Sequence, residues 1–195
     1  MTLDYKNNRS PFVKFAAVAC LCLGLFGCSG LQTSTESTRS AVNTDWSSAL
    51  AEQGVLIDPV ILVQASNHPF SRQALDQLGI KYRYGGNNPK MGFDCSGLVY
   101  FSANESLGMK LPRRSVDQAR SGQAVKKEDL VLGDLVFFNT RGSKNSHVGI
   151  YLGNDLFVHA PSRNGMVTVV DMTQQYWAKR YNGARRISPI QIATR

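Results

Sequence analysis

A change of period along the chain constrains its fold more than any other feature. Five short runs rich in β-branched and aromatic residues, at 134–139, 147–152, 156–160, 166–170 and 184–187, are separated by Gly, Asn, Pro and Ser and read as strands. The segment before them reads as helix. Phe70, Ala74, Leu75 and Leu78 fall on one helical face ahead of Gly79. Asp94 can cap a second helix from Cys95 to about Leu107, with Gly108 as its terminator. Ser115 with Gln118 has the form of a capping box for a short third helix that ends near Gly122. Helices first and an antiparallel sheet afterwards specify an α+β fold, and residues 67–190 suffice for one core.

The first thirty residues read as an export signal. Lys6, Arg9 and Lys14 precede an apolar run from Phe15 to Phe26, which is too short to span a bilayer and of the right length for a signal-peptide core. Leu25-Phe26-Gly27-Cys28 is similar to the cleavage site of bacterial lipoproteins, and Ala17-Val18-Ala19-Cys20 competes with it. Cleavage at Cys20 would leave the apolar stretch from Leu21 to Phe26 at the new terminus with nothing to bury it, so Cys28 is the preferred lipidated residue. Residues 1–27 are then the signal peptide, and an ordinary cleaved signal giving a soluble secreted protein is the alternative.

Residues 28–66 are expected to be a tether and connector. From Ser29 to Ser48 about half the residues are Ser or Thr, with too little apolar surface to offset the entropy of ordering. The net charge of +8 falls to +6 once residues 1–27, with three cations and one anion, are removed. That balance favours an anionic partner such as cell-wall polymer or lipid headgroups. Nucleic acid is excluded as a partner: the basic pairs at 113–114, 126–127, 179–180 and 185–186 are scattered and the chain is exported.

After signal removal only Cys28 and Cys95 remain, and Cys95 alone lies in the expected domain. An oxidising compartment drives thiols into disulfides, so a solitary cysteine there points to chemistry. At the first turn of a helix its sulfur would lie near unsatisfied N–H groups and the positive end of the helix dipole, both of which favour thiolate. The bland reading is a small buried hydrophobe.

A nucleophilic thiol needs a base. His68, before Pro69, reads as a solvated loop residue. His147 and His159 lie in strands of one hairpin turning at Gly153-Asn154, so both fall at its open end. They share a face only if the pairing parity is even, which calls for an odd-length loop such as Gly153 to Asp155; a strict two-residue loop would put them on opposite faces. Either histidine alone would read as strand filling. Two converging beside a thiol read as catalytic.

The motifs Tyr82-Arg83-Tyr84-Gly85-Gly86, Gly92-Phe93-Asp94-Cys95-Ser96-Gly97-Leu98-Val99, Leu111-Pro112-Arg113, Gly133-Asp134-Leu135-Val136-Phe137-Phe138, Ser146-His147-Val148-Gly149-Ile150-Tyr151 and Phe157-Val158-His159-Ala160 follow one another in order. Together they closely resemble the NlpC/P60 family of cell-wall cysteine peptidases, its small lipoprotein members above all. The resemblance implies a papain-like α+β core over residues 67–190, with N-terminal helices packed on an antiparallel sheet. It also implies hydrolysis of amide bonds in peptidoglycan stem peptides. Carried over residue by residue, it makes Cys95 the nucleophile, His147 the base and His159 the group that orients the base. Tyr82 matches the tyrosine facing the cysteine and would donate to the oxyanion or to substrate. Asp94 is a helix cap, Ser96 an exposed first-turn residue able to touch substrate, and Arg113 a candidate for binding a substrate carboxylate.

The expected reaction is attack by Cys95, protonation of the leaving amine by His147, and hydrolysis of the thioester with His147 as base. No cofactor is expected, and no metal: Cys95, His147 and His159 would give a zinc ion only three ligands, at spacings of 52 and 12. The expected partners are stem peptides and, through lipid on Cys28, a membrane, with the protein a monomer on the outer membrane facing the periplasm. A related amidase or acyltransferase and an inactive cell-wall-binding lipoprotein are the alternatives. The bond cleaved, D-alanyl–diaminopimelate or γ-D-glutamyl–diaminopimelate, stays open.

Overall fold

The computed structural model describes residues 44–140, 142–162 and 165–188. In chain order the elements are α1 (Thr44–Glu52), α2 (Pro59–Ser66), α3 (Pro69–Leu75), β1 (Asn87–Asn88), β2 (Gly92–Phe93), α4 (Cys95–Leu107), α5 (Ser115–Gln118), β3 (Gln123–Val125), a 3₁₀ turn (Lys127–Asp129), β4 (Leu135–Phe138), β5 (His147–Gly153), β6 (Leu156–His159), β7 (Thr168–Asp171), α6 (Gln175–Ala178) and β8 (Tyr181–Arg186). β1 and β2 form a small antiparallel ribbon. The other strands form one antiparallel sheet in the order β3-β8-β4-β5-β6-β7.

β4 is apolar at every position because both faces of the sheet are covered. Leu135 and Phe137 join the core shared with the helices, with Phe70, Leu75, Leu98, Val148, Ile150 and Val158. Val136 and Phe138 point the other way, to a smaller cluster with Tyr151, Phe157 and Met172, against which Trp177 of α6 packs. Alternation along each strand thus feeds two apolar layers. The α+β architecture expected from the sequence is the one observed, helices leading and the antiparallel sheet following.

The N-terminal boundary lies earlier than expected. Residues 44–66, expected as tether and connector, form α1 and α2, and Trp46, Leu50, Ile61, Leu62 and Ala65 are all buried in the main core. Trp46 also donates from its indole to Asp76 Oδ1 at 3.1 Å. Asp58 caps α2 by accepting from Val60 N, and Pro59 is its first residue. The expected signal peptide, Cys28 and the tether up to residue 43 lie outside the described residues.

Two further expectations change. Ser115 is the first residue of α5 and not its cap; Arg114 holds the cap position without a side-chain bond, so no capping box forms. His68 is not a solvated loop residue. It caps α3, its Nδ1 accepts from Ser71 N at 3.3 Å, and its ring packs so tightly on Gly133 that a Cβ there would come within 2.2 Å of it. Burial lowers the His68 pKa, with Asp134 pulling the other way.

The β5–β6 hairpin reaches the required parity by an unexpected route. Tyr151 pairs with Phe157, yet Gly153 pairs with Leu156, so Leu152 is the extra residue of a bulge. The turn itself is only Asn154-Asp155, both at positive φ (47° and 60°), as a tight primed turn requires. The bulge supplies the residue that the turn lacks. His147 and His159 therefore fall on one face.

Candidate active site

α4 starts where the chain leaves the β1–β2 ribbon. Asp94 sits in extended conformation and caps the helix, its Oδ1 accepting from Gly97 N at 2.7 Å, while Gly108 at φ 64° closes the other end. The first turn is pressed against the preceding loop. A Cβ on Gly97 would lie 2.0 Å from the Gly86 carbonyl oxygen, so only glycine fits there. Cys95 is the first helical residue, as the sequence suggested, and is partly buried against the main core.

Both neighbours of Cys95 are gripped by the loop before and within α5. The Arg113 guanidinium meets the Asp94 carboxylate in bidentate fashion, Nη1 to Oδ1 and Nη2 to Oδ2, each at 2.8 Å. It also donates to Ser96 Oγ at 3.0 Å and to the Gly86 carbonyl at 3.0 Å. Gly85 N adds a further bond to Asp94 Oδ2 at 2.9 Å. The Arg113 pKa is raised, chiefly by the hydrogen bond to Asp94, with the charges of Asp94, Cys95 and Tyr82 adding to it against burial. Gln118, fully buried, donates to the carbonyls of Ser96 at 3.0 Å and Pro112 at 2.9 Å.

These contacts correct two expectations. Ser96 is only 6 % exposed, and although it lines the cleft its hydroxyl is held in the Arg113 network. Arg113 does bind a carboxylate, but it is the protein's own Asp94. Asp94 is a cap, as expected, and at the same time the anchor of that guanidinium.

The histidines stand at the ends of two adjacent strands. His147 is the first residue of β5 and His159 the last of β6; both are buried, and His147 Nε2 lies 2.8 Å from His159 Nδ1. Trp177 packs on both rings, with centroids at 5.4 Å from His147 and 5.0 Å, edge-on, from His159. Phe138 and Phe157 complete the aromatic box. Burial, and then the proximity of His147, hold the His159 pKa well below its ordinary value. His159 is therefore the neutral partner of the pair.

A cleft of about 510 Å³ opens beside Cys95, and it reaches the residue before His147 while neither histidine lines it. Tyr82, Asp94, Cys95, Arg113 and Arg114 line it together with Ser146, the residue preceding His147. The 139–146 loop that delivers Ser146 is pinned by Thr140 N donating to Ser146 Oγ at 2.9 Å and Asn145 N donating to Asn139 Oδ1 at 3.0 Å. Tyr82 is held by backbone: it bridges to Phe93, and its N–H donates to Gly165 O at 2.8 Å. Among the described residues no group of three or more His, Cys, Asp and Glu is arranged to hold a metal ion.

Trp177, Gln118 and Ser146 were not singled out as site residues from the sequence. Trp177 lies in a polar segment near the C-terminus, and only the sheet topology carries it to the histidines. The spacing of Gln118 from Ser115 points to a capping box, whereas its side chain bonds the Ser96 and Pro112 carbonyls.

The description "NlpC/P60 family" belongs to a family model that matches residues 79–186. The murein DD-endopeptidase MepS/murein LD-carboxypeptidase of Escherichia coli (strain K12) is 41 % identical over 147 residues, which cover 75 % of this chain and 76 % of that protein. The murein DD-endopeptidase MepH of the same organism is 35 % identical over 128 residues, covering 64 % of this chain and 47 % of its own length. Among solved structures, an NlpC/P60 family protein from Bacillus cereus superposes with a TM-score of 0.57 at 32 % identity, over 60 % of this chain and 39 % of that one.

Proposed function

Because this chain belongs to the NlpC/P60 family, we propose that it is a peptidoglycan endopeptidase that cuts an amide bond of murein stem peptides through a thioester on Cys95. The observation that carries this reading is one cleft lined by Cys95, at the head of α4, and by Ser146, whose neighbour His147 is bonded to a neutral His159.

The roles follow from that geometry. His147 donates its Nε2 proton to His159 Nδ1, which fixes the ring and leaves Nδ1 as the nitrogen that exchanges protons. The resting site is the Cys95 thiolate with His147 as imidazolium. The head of α4 and the Arg113 guanidinium favour the anion, and Asp94 keeps Arg113 in place. The sulfur attacks the scissile carbonyl carbon. The oxyanion is met by N–H groups at the start of α4 and by the Tyr82 hydroxyl. His147 Nδ1 then gives its proton to the leaving amine as the C–N bond breaks. Water attacks the thioester while Nδ1 takes up one of its protons, which releases the carboxylic acid and restores thiolate and imidazolium.

The bond we propose is the D-alanyl–diaminopimelate cross-link. Two relatives of this chain are named murein DD-endopeptidases, and that linkage joins two D-centres. The test is digestion of purified sacculi with the wild type and with Cys95→Ala, followed by mass spectrometry of the muropeptides. Loss of cross-linked dimers by the wild type alone is the expected result. Free γ-D-glutamyl ends would move the cut to the other bond, an acyl group passed to an amine would make the protein a transferase, and cleavage by a folded Cys95→Ala protein would sink the cysteine mechanism.

We further propose that lipid on Cys28 anchors the protein in the outer membrane, facing the periplasm. This rests on Leu25-Phe26-Gly27-Cys28 and on Ser29 in place of the Asp that the inner membrane retains by family resemblance. Labelling with a fatty acid tests it, and label persisting in Cys28→Ser would place the anchor elsewhere.

A further inference from the structure

Among the described residues the cleft carries three formal charges on its walls, from Asp94, Arg113 and Arg114. Two of them cancel: Asp94 and Arg113 are joined by two hydrogen bonds of 2.8 Å, and the remaining donor capacity of Arg113 goes to Ser96 and Gly86. Arg114 is different. It is exposed, and its side chain makes no hydrogen bond or ion pair among the described residues. The nearest acidic residue along the chain, Asp117, is paired with Arg120. The loop on the cleft's other side adds a second cation, since exposed Lys144 lies between the cleft-lining Ser143 and Ser146.

A cleft with a cancelled ion pair and one uncommitted guanidinium is electrostatically selective. It attracts an anion, and the planar fork of arginine suits a carboxylate in particular. The stem peptide supplies that group. Its diaminopimelate side-chain carboxylate and its C-terminal D-alanine carboxylate are both ionised at neutral pH. We infer that Arg114 is the residue of the cleft that recognises the diaminopimelate or the C-terminal D-alanine carboxylate of the stem peptide, the two carried by the residue types of the proposed cut, so that the enzyme discriminates against peptides in which that carboxylate is a carboxamide. This rests on the peptidase reading for the nature of the ligand and deepens it by naming what the cleft selects. The neighbouring Arg113 cannot take this role without giving up Asp94 and, with it, the head of α4.

The experiment measures binding on the Cys95→Ala protein, where no turnover occurs, and uses three synthetic stem tetrapeptides. One has all carboxylates free, one is amidated on diaminopimelate, and one is amidated on the terminal D-alanine. One amidated peptide should bind roughly five-fold more weakly than the free acid, the scale of a solvent-exposed ion pair. Which of the two it is identifies the carboxylate. In Arg114→Gln/Cys95→Ala the ratio should collapse to about one, Arg114→Lys should restore part of it, and the preference should fade with added salt. Equal affinity for all three peptides, or an unchanged ratio in the Arg114→Gln protein, overturns the inference. Hydrolysis of a cross-linked stem-peptide dimer by the wild-type protein is scored separately. A failure there counts against the peptidase reading, whereas the affinity ratios alone decide the role of Arg114.

Discussion

His147 and His159 meet ring to ring, Nε2 to Nδ1 at 2.8 Å, with Trp177 packed on both. His159 is wholly buried and kept neutral, which suits it to the orienting role proposed for it. Asn at 159 also offers an acceptor; Ala does not. The expected order in kcat/KM is wild type, His159→Asn, His159→Ala, His147→Ala, with His159→Ala down by roughly 10²- to 10³-fold. Because the pair acts as a unit, His147→Ala/His159→Ala should be scarcely worse than His147→Ala. Full activity of a stable His159→Ala protein, or losses that add in full, would remove His159 from the catalytic set.

The same burial makes stability depend on pH. An unfolded histidine protonates near its ordinary value of 6.5, whereas folded His159 resists protonation until well below that. Below about pH 6.5 the unfolded chain therefore holds more protons than the folded one, and stability, complete above that pH, falls as pH drops toward the folded value. His68, also lowered by burial, acts in the same direction. Urea unfolding between pH 8 and pH 5 should show this decline, and His159→Asn should flatten it. An equally steep decline in the Asn variant would assign the effect to other groups.

Gln118 secures the residue after Cys95, as Arg113 secures the one before it. Gln118→Leu would leave the Ser96 and Pro112 carbonyls without their donor, at a cost of about 1–3 kcal/mol. Gln118→Glu should be worse, since an anion would face two carbonyl oxygens. Denaturant midpoints measure the stability loss, and kcat/KM per folded molecule measures the displacement of Cys95. Wild-type values of both for Gln118→Leu would reduce the residue to filling.

α1 and α2 belong to the folded unit in this structure. Trp46→Ala should cost about 3–5 kcal/mol, because a buried indole and its bond to Asp76 are lost together. A protein lacking residues 1–43 should unfold cooperatively, and one lacking residues 1–66 should not. Cooperative unfolding of the shorter protein would restore the boundary at residue 67.

The contrast between what could and could not be read in the chain has a physical basis. α4 was legible from end to end because its signals are local: Asp94 before it, Gly108 after it, and an apolar face between. The strands carrying His147 and His159 were legible through their β-branched runs. α1 was hidden by composition, since Ser and Thr dominate up to residue 48, although Trp46 and Leu50, one turn apart, were a signal that could have found it. β3 is short and only its pairing with β8 defines it, while β8 was legible from residue 184 but not in its polar start at Tyr181-Asn182-Gly183. The roles of Arg113 and Gln118 depend on bonds spanning 19 and 22 residues, to Asp94 and Ser96, which no periodicity reports. The parity of the hairpin was readable as a requirement. The bulge that meets it was not, because a turn and a bulge contribute the extra residue equally well.

That bulge makes the alignment of the two histidines a matter of counting. Substituting any single side chain of the hairpin leaves the number of residues between His147 and His159 unchanged, so packing can be damaged while the two rings stay on one side of the sheet. Deleting Leu152 would leave Tyr151 opposite Phe157 and both rings on one side, whereas closing the bulge with Leu152 kept, so that it pairs with Phe157, would turn every residue of β6 over, sending His159 toward the helices and Val158 toward Trp177. For this site, a one-residue slip of register remote from the thiol is therefore a frameshift written in space: it changes no functional group and separates the two that must meet.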